Sequence, residues 1–426
     1  MSRPYYKPNP IRGAGGEQYE GVDYVLNEPW AEEAHNVRLV AHSDLNGWGD
    51  AFQVQVGKGV CYVAASGVNG HNGTTVLDVR DPSRPKIVNQ LVDTEAARTH
   101  KVLRINDEVL LTNSELRPSK RAEFPDAVGG LRLFDNSDPF NPKFVKYVRT
   151  GGLGVHRPIY DRKRNLLYCS SFRDSGFNEK ILCVYDMKDP WNPELLGEGW
   201  IPGQKEGEEP SWDTEIVSNK GAWLHEANPF GNYVTCGFWN AGVAMFDLTD
   251  PTKPRFMWRH NPHETHGWAG CYHSFVVPDG SEFGIATQES TTVNCDHPPA
   301  FFTIYDLRNV DVPLPISTFQ PYKIDPYTMR PVDQKWCRTG ARYGAHNIWL
   351  DMTRDDLIYI CWFSSGLRVV DWSDPFAPKE AGYYIPAGTR ERCCPQSNDV
   401  QVDKDTGLIY MADRWGLGLH IMEYTG

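Results

Sequence analysis

Leu367-Arg-Val-Val-Asp371-Trp-Ser-Asp374-Pro375-Phe-Ala-Pro378 is the stretch whose reading decides the fold. Its alternating apolar run predicts a half-buried strand. Asp-Pro then opens a tight turn, with proline presetting φ and the aspartate side chain able to accept a backbone N–H. The second proline ends the turn and enters the next strand at its edge.

The same element recurs along the chain. It reads Thr75-Val-Leu-Asp78-Val-Arg-Asp81-Pro82-Ser-Arg-Pro85, then Leu131-Arg-Leu-Phe-Asp135-Asn-Ser-Asp138-Pro139-Phe-Asn-Pro142. Further copies are Leu182-Cys-Val-Tyr-Asp186-Met-Lys-Asp189-Pro190-Trp-Asn-Pro193 and Val243-Ala-Met-Phe-Asp247-Leu-Thr-Asp250-Pro251-Thr-Lys-Pro254. Phe302-Thr-Ile-Tyr-Asp306-Leu is a degenerate copy whose Asp-Pro turn is replaced. Two further strands precede each copy, as in Asn347-Ile-Trp-Leu-Asp and Leu357-Ile-Tyr-Ile-Cys-Trp-Phe. Four strands over roughly 45–60 residues, with no amphipathic helix between them, is the size of a propeller blade.

These strings resemble the LVIVD repeat, a β-propeller repeat family, and the resemblance extends over roughly residues 36–424. Gly407-Leu-Ile-Tyr-Met-Ala-Asp413-Arg-Trp-Gly-Leu-Gly-Leu-His-Ile-Met resembles a final repeat of that family. The resemblance implies an all-β, seven-bladed β-propeller and specifies no activity. The expected blades are 50–92, 100–148, 156–201, 225–259, 273–319, 346–385, and one from 399 to the C-terminus that shows three strands. Asn36-Val-Arg-Leu-Val-Ala-His42 is expected to supply the missing outer strand, tying the ends together and removing an exposed edge. Residues 1–35 then form an N-terminal extension and 36–426 a single domain. Long insertions at 202–224 and 321–344 leave eight blades as an alternative.

Aligned on their first strands, the blades open with Asp50, His100, His156, His225, His273, His346 and Asp399. First strands line the central channel, so these positions form a ring about the axis. Five of the seven are histidines, from thirteen in the chain. A lone polar residue there commonly bonds to the neighbouring blade. Five imidazoles on one axis repel if protonated, and leave nitrogens unpaired if neutral and dry. A cation resolves both problems, neutral imidazole being a strong ligand for divalent transition metals; Fe(II) is favoured, with Cu, Mn and Zn suiting the same donors. Three or four imidazoles binding directly leave open positions, as a catalytic metal needs. Glu115 and Glu289, on second strands, are the candidate catalytic carboxylates and can orient the ligands. Glu226 follows His225, so alternation points it away. A solvated carboxylate is the default for each.

Three loops on the channel face are rich in aromatic and basic residues. Trp268, Trp336, Arg338, Arg342 and Tyr343 are the candidate substrate contacts, with the arginines suited to a carboxylate or phosphate. His260, His263 and His266 have a weaker spacing for a second metal. The expected function is a metal-dependent oxidoreductase, oxygenase or oxidase in type, acting on a small aromatic or apolar substrate. Metal-assisted hydrolysis, hydration or isomerisation is the first alternative, and a non-enzymatic scaffold for protein partners the second. Carotenoid-cleavage oxygenases, also seven-bladed, hold Fe(II) with four histidines at this kind of position; selenium-binding-protein-type oxidases are another metal-dependent propeller group. Both likenesses are architectural only.

A net charge of −12 over 426 residues, with basic residues only in scattered pairs, argues against a nucleic-acid or anionic-membrane surface, so neither partner is expected. The N-terminus lacks the apolar core of a signal peptide, and no apolar run approaches roughly 18 residues. Cys61, Cys169, Cys183, Cys236 and Cys361 fall in strands as small buried hydrophobes, while Cys393 and Cys394 lie in a loop. A cytoplasmic protein, with a homo-oligomer possible, is the expectation.

Overall fold

A computed structural model describes residues 28–65, 67, 71–215, 217, 221–261, 271–295, 300–325, 331–333, 340–349, 356–390 and 392–426. The chain enters through β1 (Glu33–His35) and β2 (Val37–Ser43). Blade one is β3 (Ala51–Gly57), β4 (Val60–Ala65), β5 (Gly73–Asp78) and β6 (Lys86–Val92). In blade two, β7 (Ala97–Arg98) and β8 (Val102–Arg104) share the inner edge of β9 (Val109–Leu116), followed by β10 (Gly130–Asp135) and β11 (Lys143–Arg149). Blade three is β12 (Val155–Asp161), β13 (Leu166–Ser171), β14 (Ile181–Asp186) and β15 (Glu194–Gly199). Blade four is β16 (Glu226–Phe230), β17 (Tyr233–Gly237), β18 (Val243–Asp247) and β19 (Arg255–His260). Blade five is β20 (Tyr272–Val276), β21 (Phe283–Gln288), β22 (Phe302–Asp306) and β23 (Leu314–Phe319).

Blade six carries β24 (Leu357–Cys361), β25 (Leu367–Asp371) and β26 (Lys379–Ile385), and blade seven β27 (Ser397–Val402), β28 (Ile409–Asp413) and β29 (Gly418–Tyr424). The expected closure is present: β2 pairs antiparallel with β29 as the outer strand of blade seven. One strand was not expected. β1 pairs with β26, so the entering chain also covers the edge of blade six. The inner segment of blade six bonds to β24 through His346 N–H to the Cys361 carbonyl and Trp349 N–H to the Tyr359 carbonyl, both at 2.9 Å.

Each repeat turn is a pair of Asx turns. The Asp371 carboxylate accepts from Ser373 N–H at 2.9 Å, and Asp374 from Phe376 N–H at 3.0 Å. The degenerate fifth copy keeps the geometry, with Asn309 accepting from Asp311 N–H at 3.2 Å where its relatives use aspartate. The strand before the turn is not half-buried as its alternation suggests. Leu367, Arg368, Val369 and Val370 are all buried, because neighbouring blades stack on both faces of each sheet. Arg368 survives there by donating to Glu380 at 3.0 Å and to the Tyr322 hydroxyl at 2.6 Å. The apolar clusters therefore lie between blades, as where Leu182 and Val184 of blade three meet Val234 and Phe246 of blade four. The five strand cysteines are buried free thiols, and Cys393 and Cys394 are buried as well; Cys295 is disulfide-bonded.

Closure places His42 of β2 opposite His420 of β29, their rings 4.7 Å apart. Burial and the neighbouring His42 hold the His420 imidazole far below its ordinary value, at about 3. The unfolded chain takes up that proton near pH 6.5, so this histidine contributes stability fully above pH 6.5. The contribution declines as pH falls toward 3, at about 1.4 kcal/mol per pH unit. Melting curves of the protein and of His420→Gln between pH 7 and 4.5 are expected to show a shallower acid decline for the variant. Equal slopes contradict the assignment.

Candidate metal centre

His100, His156, His225, His273 and His346 do meet at the axis. Their rings follow one another at centroid distances of 4.7, 4.8, 3.9 and 4.4 Å. Blades one and seven complete the circle with Phe52 and Asn398, not with Asp50 and Asp399. The inner strands of blades one, three, five and seven each carry an irregularity, between residues 51/53, 155/157, 272/274 and 397/399. The extra residue of each bulge turns to the axis, and it is Phe52, His156, His273 and Asn398. Phe52 accordingly packs edge-on against His100 at 5.2 Å, and His346 Nδ1 meets the Asn398 carbonyl.

The partners of each imidazole fix its hydrogen. His156 Nδ1 lies 2.8 Å from a Glu115 carboxylate oxygen, His225 Nδ1 3.1 Å from the His273 carbonyl, and His346 Nδ1 2.6 Å from the Asn398 carbonyl. All three partners only accept, so each Nδ1 carries the hydrogen and each Nε2 presents a lone pair. His273 differs: Arg157 donates to its Nε2 at 3.1 Å, leaving Nδ1–H for the Ser274 hydroxyl at 2.9 Å. The Asn113 amide donates to His100 Nδ1 at 3.3 Å, and His100 Nε2 is buried without a hydrogen-bond partner. Burial lowers the affinity of all five rings for a proton, so they are neutral at pH 7.

The consequence is a conflict at the centre. His156 Nε2 and His225 Nε2 stand 3.2 Å apart, two lone pairs with no hydrogen between them. Two nitrogens bound to one tetrahedral metal at about 2.1 Å stand about 3.4 Å apart. His346 faces the same cavity with Glu289, 3.5 Å from one of its oxygens. The cavity measures about 30 Å³, room for an ion and a water. Trp223 and Trp239 stack at 4.5 Å and flank His225, each ring 5.4 Å from it, which excludes water from that side.

None of the three carboxylates is solvated. Glu115 pairs with Arg98 at 3.3 Å and Lys180 at 3.4 Å; burial raises its carboxyl, but those cations outweigh it and hold the group below the ordinary range. Glu289 receives Arg342 at 2.5 Å, with Arg414 at 3.8 Å; burial is again outweighed, and its carboxyl stays below the ordinary range. Glu226 points away from the ring as alternation requires, yet it is buried and takes Arg157 at 2.9 Å. It belongs to a layer one residue along each inner strand: Gln53, Lys101, Arg157, Glu226, Ser274, Asn347 and Asp399, all buried. Asp399 sits there, accepting from Asn347 at 2.7 Å and Val54 N–H at 2.9 Å. Two cations and two carboxylates balance in this layer, which closes the channel beneath the histidines.

Of the candidate substrate contacts, Arg342 lines the cavity but is ion-paired with Glu289. Tyr343 packs instead in the apolar cluster with Ile358, Ile360 and Trp362, because its strand neighbour, not it, faces the axis. Trp268, Trp336, Arg338, His263 and His266 lie outside the described residues. His260 bonds through Nδ1 to the Tyr305 hydroxyl at 3.1 Å. Sequence reasoning missed Arg98, Lys180, Trp223, Trp239, Phe363 and Arg414. Aligning the ends of the second strands, as was done for the first, brings Glu115, Trp239, Glu289, Phe363 and Arg414 to one level.

The LVIVD repeat matches residues 346–385, from the ring histidine His346 to the end of β26. No curated protein matches the chain in sequence. Among solved structures, Raptor from Chaetomium thermophilum is similar at 11% identity and a TM-score of 0.56, over 91% of this chain and 29% of that one. The COPII outer coat vertex on membranes gives 11% identity and 0.55, over 88% of this chain and 83% of that chain. The COPII coat assembled on membranes gives 11% and 0.55, over 88% and 46%. This chain spans less than a third of the Raptor chain, and likeness at such identity is one of fold alone. The chain is thus a seven-bladed β-propeller that carries an LVIVD repeat on blade six, with the same turn-and-strand element visible in the other blades.

Proposed function

We propose that this propeller is a metal-dependent enzyme, with a divalent transition metal held on its axis between His156 and His225, in the cavity that His346 and Glu289 also face. The observation that carries the reading is the 3.2 Å approach of the His156 and His225 Nε2 atoms, both with Nδ1 committed to an oxygen acceptor. A cation between them turns a repulsion into two bonds. The Nδ1–H bonds to a carboxylate and two carbonyls are what metal-bound imidazoles usually make. Glu289 beside His346 adds a carboxylate donor to the set, and a histidine–carboxylate set with open positions favours Fe(II), with Cu, Mn or Zn fitting the imidazoles.

When bound, Fe(II) supplies dioxygen activation, which makes an oxygenase or oxidase acting on a small organic substrate the leading reaction class. The protein's own part is positional. Glu115 orients His156, the Trp223–Trp239 pair keeps water out, and the Arg157 layer leaves one open face for substrate.

The test is elemental analysis of untagged protein, before and after anaerobic reconstitution with Fe(II), Cu, Mn and Zn. One metal per chain is expected; protein that stays metal-free after all four overturns the reading. Glu115→Gln is expected to keep the fold and lower metal affinity about 10–100-fold. A propeller acting only as a protein scaffold shows neither effect.

A further inference from the structure

Blade six already shows how this propeller takes an additional strand on its rim. β1 lies along the outer edge of β26, with Glu33 opposite Ile385, Ala34 opposite Tyr384 and His35 opposite Tyr383. The Tyr384 hydroxyl donates to the Glu32 carboxylate at 2.6 Å. An acidic, extended segment is thus held there by backbone pairing and by an aromatic side chain of the edge.

The rim of blade two offers a similar surface. β11 ends its sheet, and among the described residues no strand pairs with its outer side. Phe144, Val145 and Tyr147 are 47%, 48% and 36% exposed. Among the described residues, no other outer strand leaves as many large apolar side chains in the open. Phe144 and Tyr147 form a pair with ring centroids 5.0 Å apart, and the Arg132 guanidinium lies 5.6 Å from Phe144. The strand reads Lys143-Phe-Val-Lys-Tyr-Val-Arg149, without a carboxylate, in a chain of net charge −12. Arg149 pairs with Asp174, whereas Lys143 and Lys146 bond to the neutral side chains of Asn141 and Asn192. Lysines on an edge repel a second copy of the same strand, because like charges would then face each other. They attract an acidic one.

We propose that the outer edge of β11 docks an acidic, extended segment of a partner protein, which joins blade two as β1 joins blade six. Its backbone meets the open edge, its carboxylates meet Lys143 and Lys146, and its apolar side chains cover Phe144, Val145 and Tyr147. This site is on the rim and is independent of the metal on the axis.

The test uses the full chain and a short fluorescein-labelled peptide alternating glutamate with valine and threonine, beside its lysine-for-glutamate counterpart. Anisotropy is expected to show binding of the acidic peptide alone, weakening with salt as exposed charge pairs do. Amide exchange across residues 143–149 is expected to slow in its presence, the mark of strand addition. Lys143→Glu combined with Lys146→Glu is expected to weaken binding about tenfold or more. Its melting curve without peptide shows that it is folded. Binding that leaves exchange at 143–149 unchanged, or that the charge reversal does not weaken, overturns the proposal. So does equal binding of the lysine peptide, or no binding of the acidic one at about 1 mM. A dimer in sedimentation that the charge reversal abolishes places a second copy on the edge and overturns it as well.

Discussion

His225→Ala and His156→Ala, purified and reconstituted anaerobically, are expected to fold and to lose their metal. Sites of four such ligands bind with about 10–16 kcal/mol, so one ligand carries about 3 kcal/mol, on the order of a hundredfold in affinity. His225 is the more demanding case. Its Nδ1 is anchored to the backbone of the next blade, and its ring lies against both Trp223 and Trp239, so alanine removes a donor and opens the aromatic wall. His273→Ala is the internal control. Its Nε2 accepts from Arg157 rather than facing the other lone pairs, so its loss is expected to cost stability more than metal. Metal per chain after desalting, set beside melting temperature, separates the two effects. Wild-type occupancy in His225→Ala excludes the ligand assignment.

Arg157→Met is expected to give the largest loss of stability of any single substitution on the axis, about 3–5 kcal/mol. The guanidinium is buried and bonds to Glu226, His273 and Asn347, side chains from three other blades. Methionine fills the space and leaves the Glu226 carboxylate in a dry layer without its main counter-charge. Glu226→Gln in the same chain is expected to restore much of the loss, a coupling of about 0.5–3 kcal/mol. Denaturant midpoints of the two single variants and the double variant measure that coupling. A single variant within about 0.5 kcal/mol of the parent protein means that the layer is not holding the blades together.

The two outcomes are independent. Loss of metal with an intact polar layer concerns the chemistry, whereas loss of the polar layer concerns the scaffold that holds the histidines to one axis.

The blade count, the turns and the histidine register were legible in the sequence because each depends on near neighbours. An Asx turn joins residues two apart, and a repeat read seven times fixes which residue of each blade faces inward. The same reasoning failed by two positions in blade one and by one in blade seven. Period-two alternation assumes an unbroken strand, and a bulge that swaps Asp399 for Asn398 leaves no mark on hydrophobicity. The burial of Glu115, Glu226 and Glu289 was equally hidden, since nothing local distinguishes a solvated glutamate from one meeting arginines of another blade. Arg342 reaches Glu289 from 53 residues away, and Asp399 accepts from Val54 across 345. Such contacts exist only once the ring of blades has closed. The sequence by itself determined a seven-bladed propeller with five inward histidines. The tertiary structure decided which of their nitrogens are committed, which carboxylates orient them, and how much positive charge surrounds them, because each of those depends on what the neighbouring blade brings to the axis.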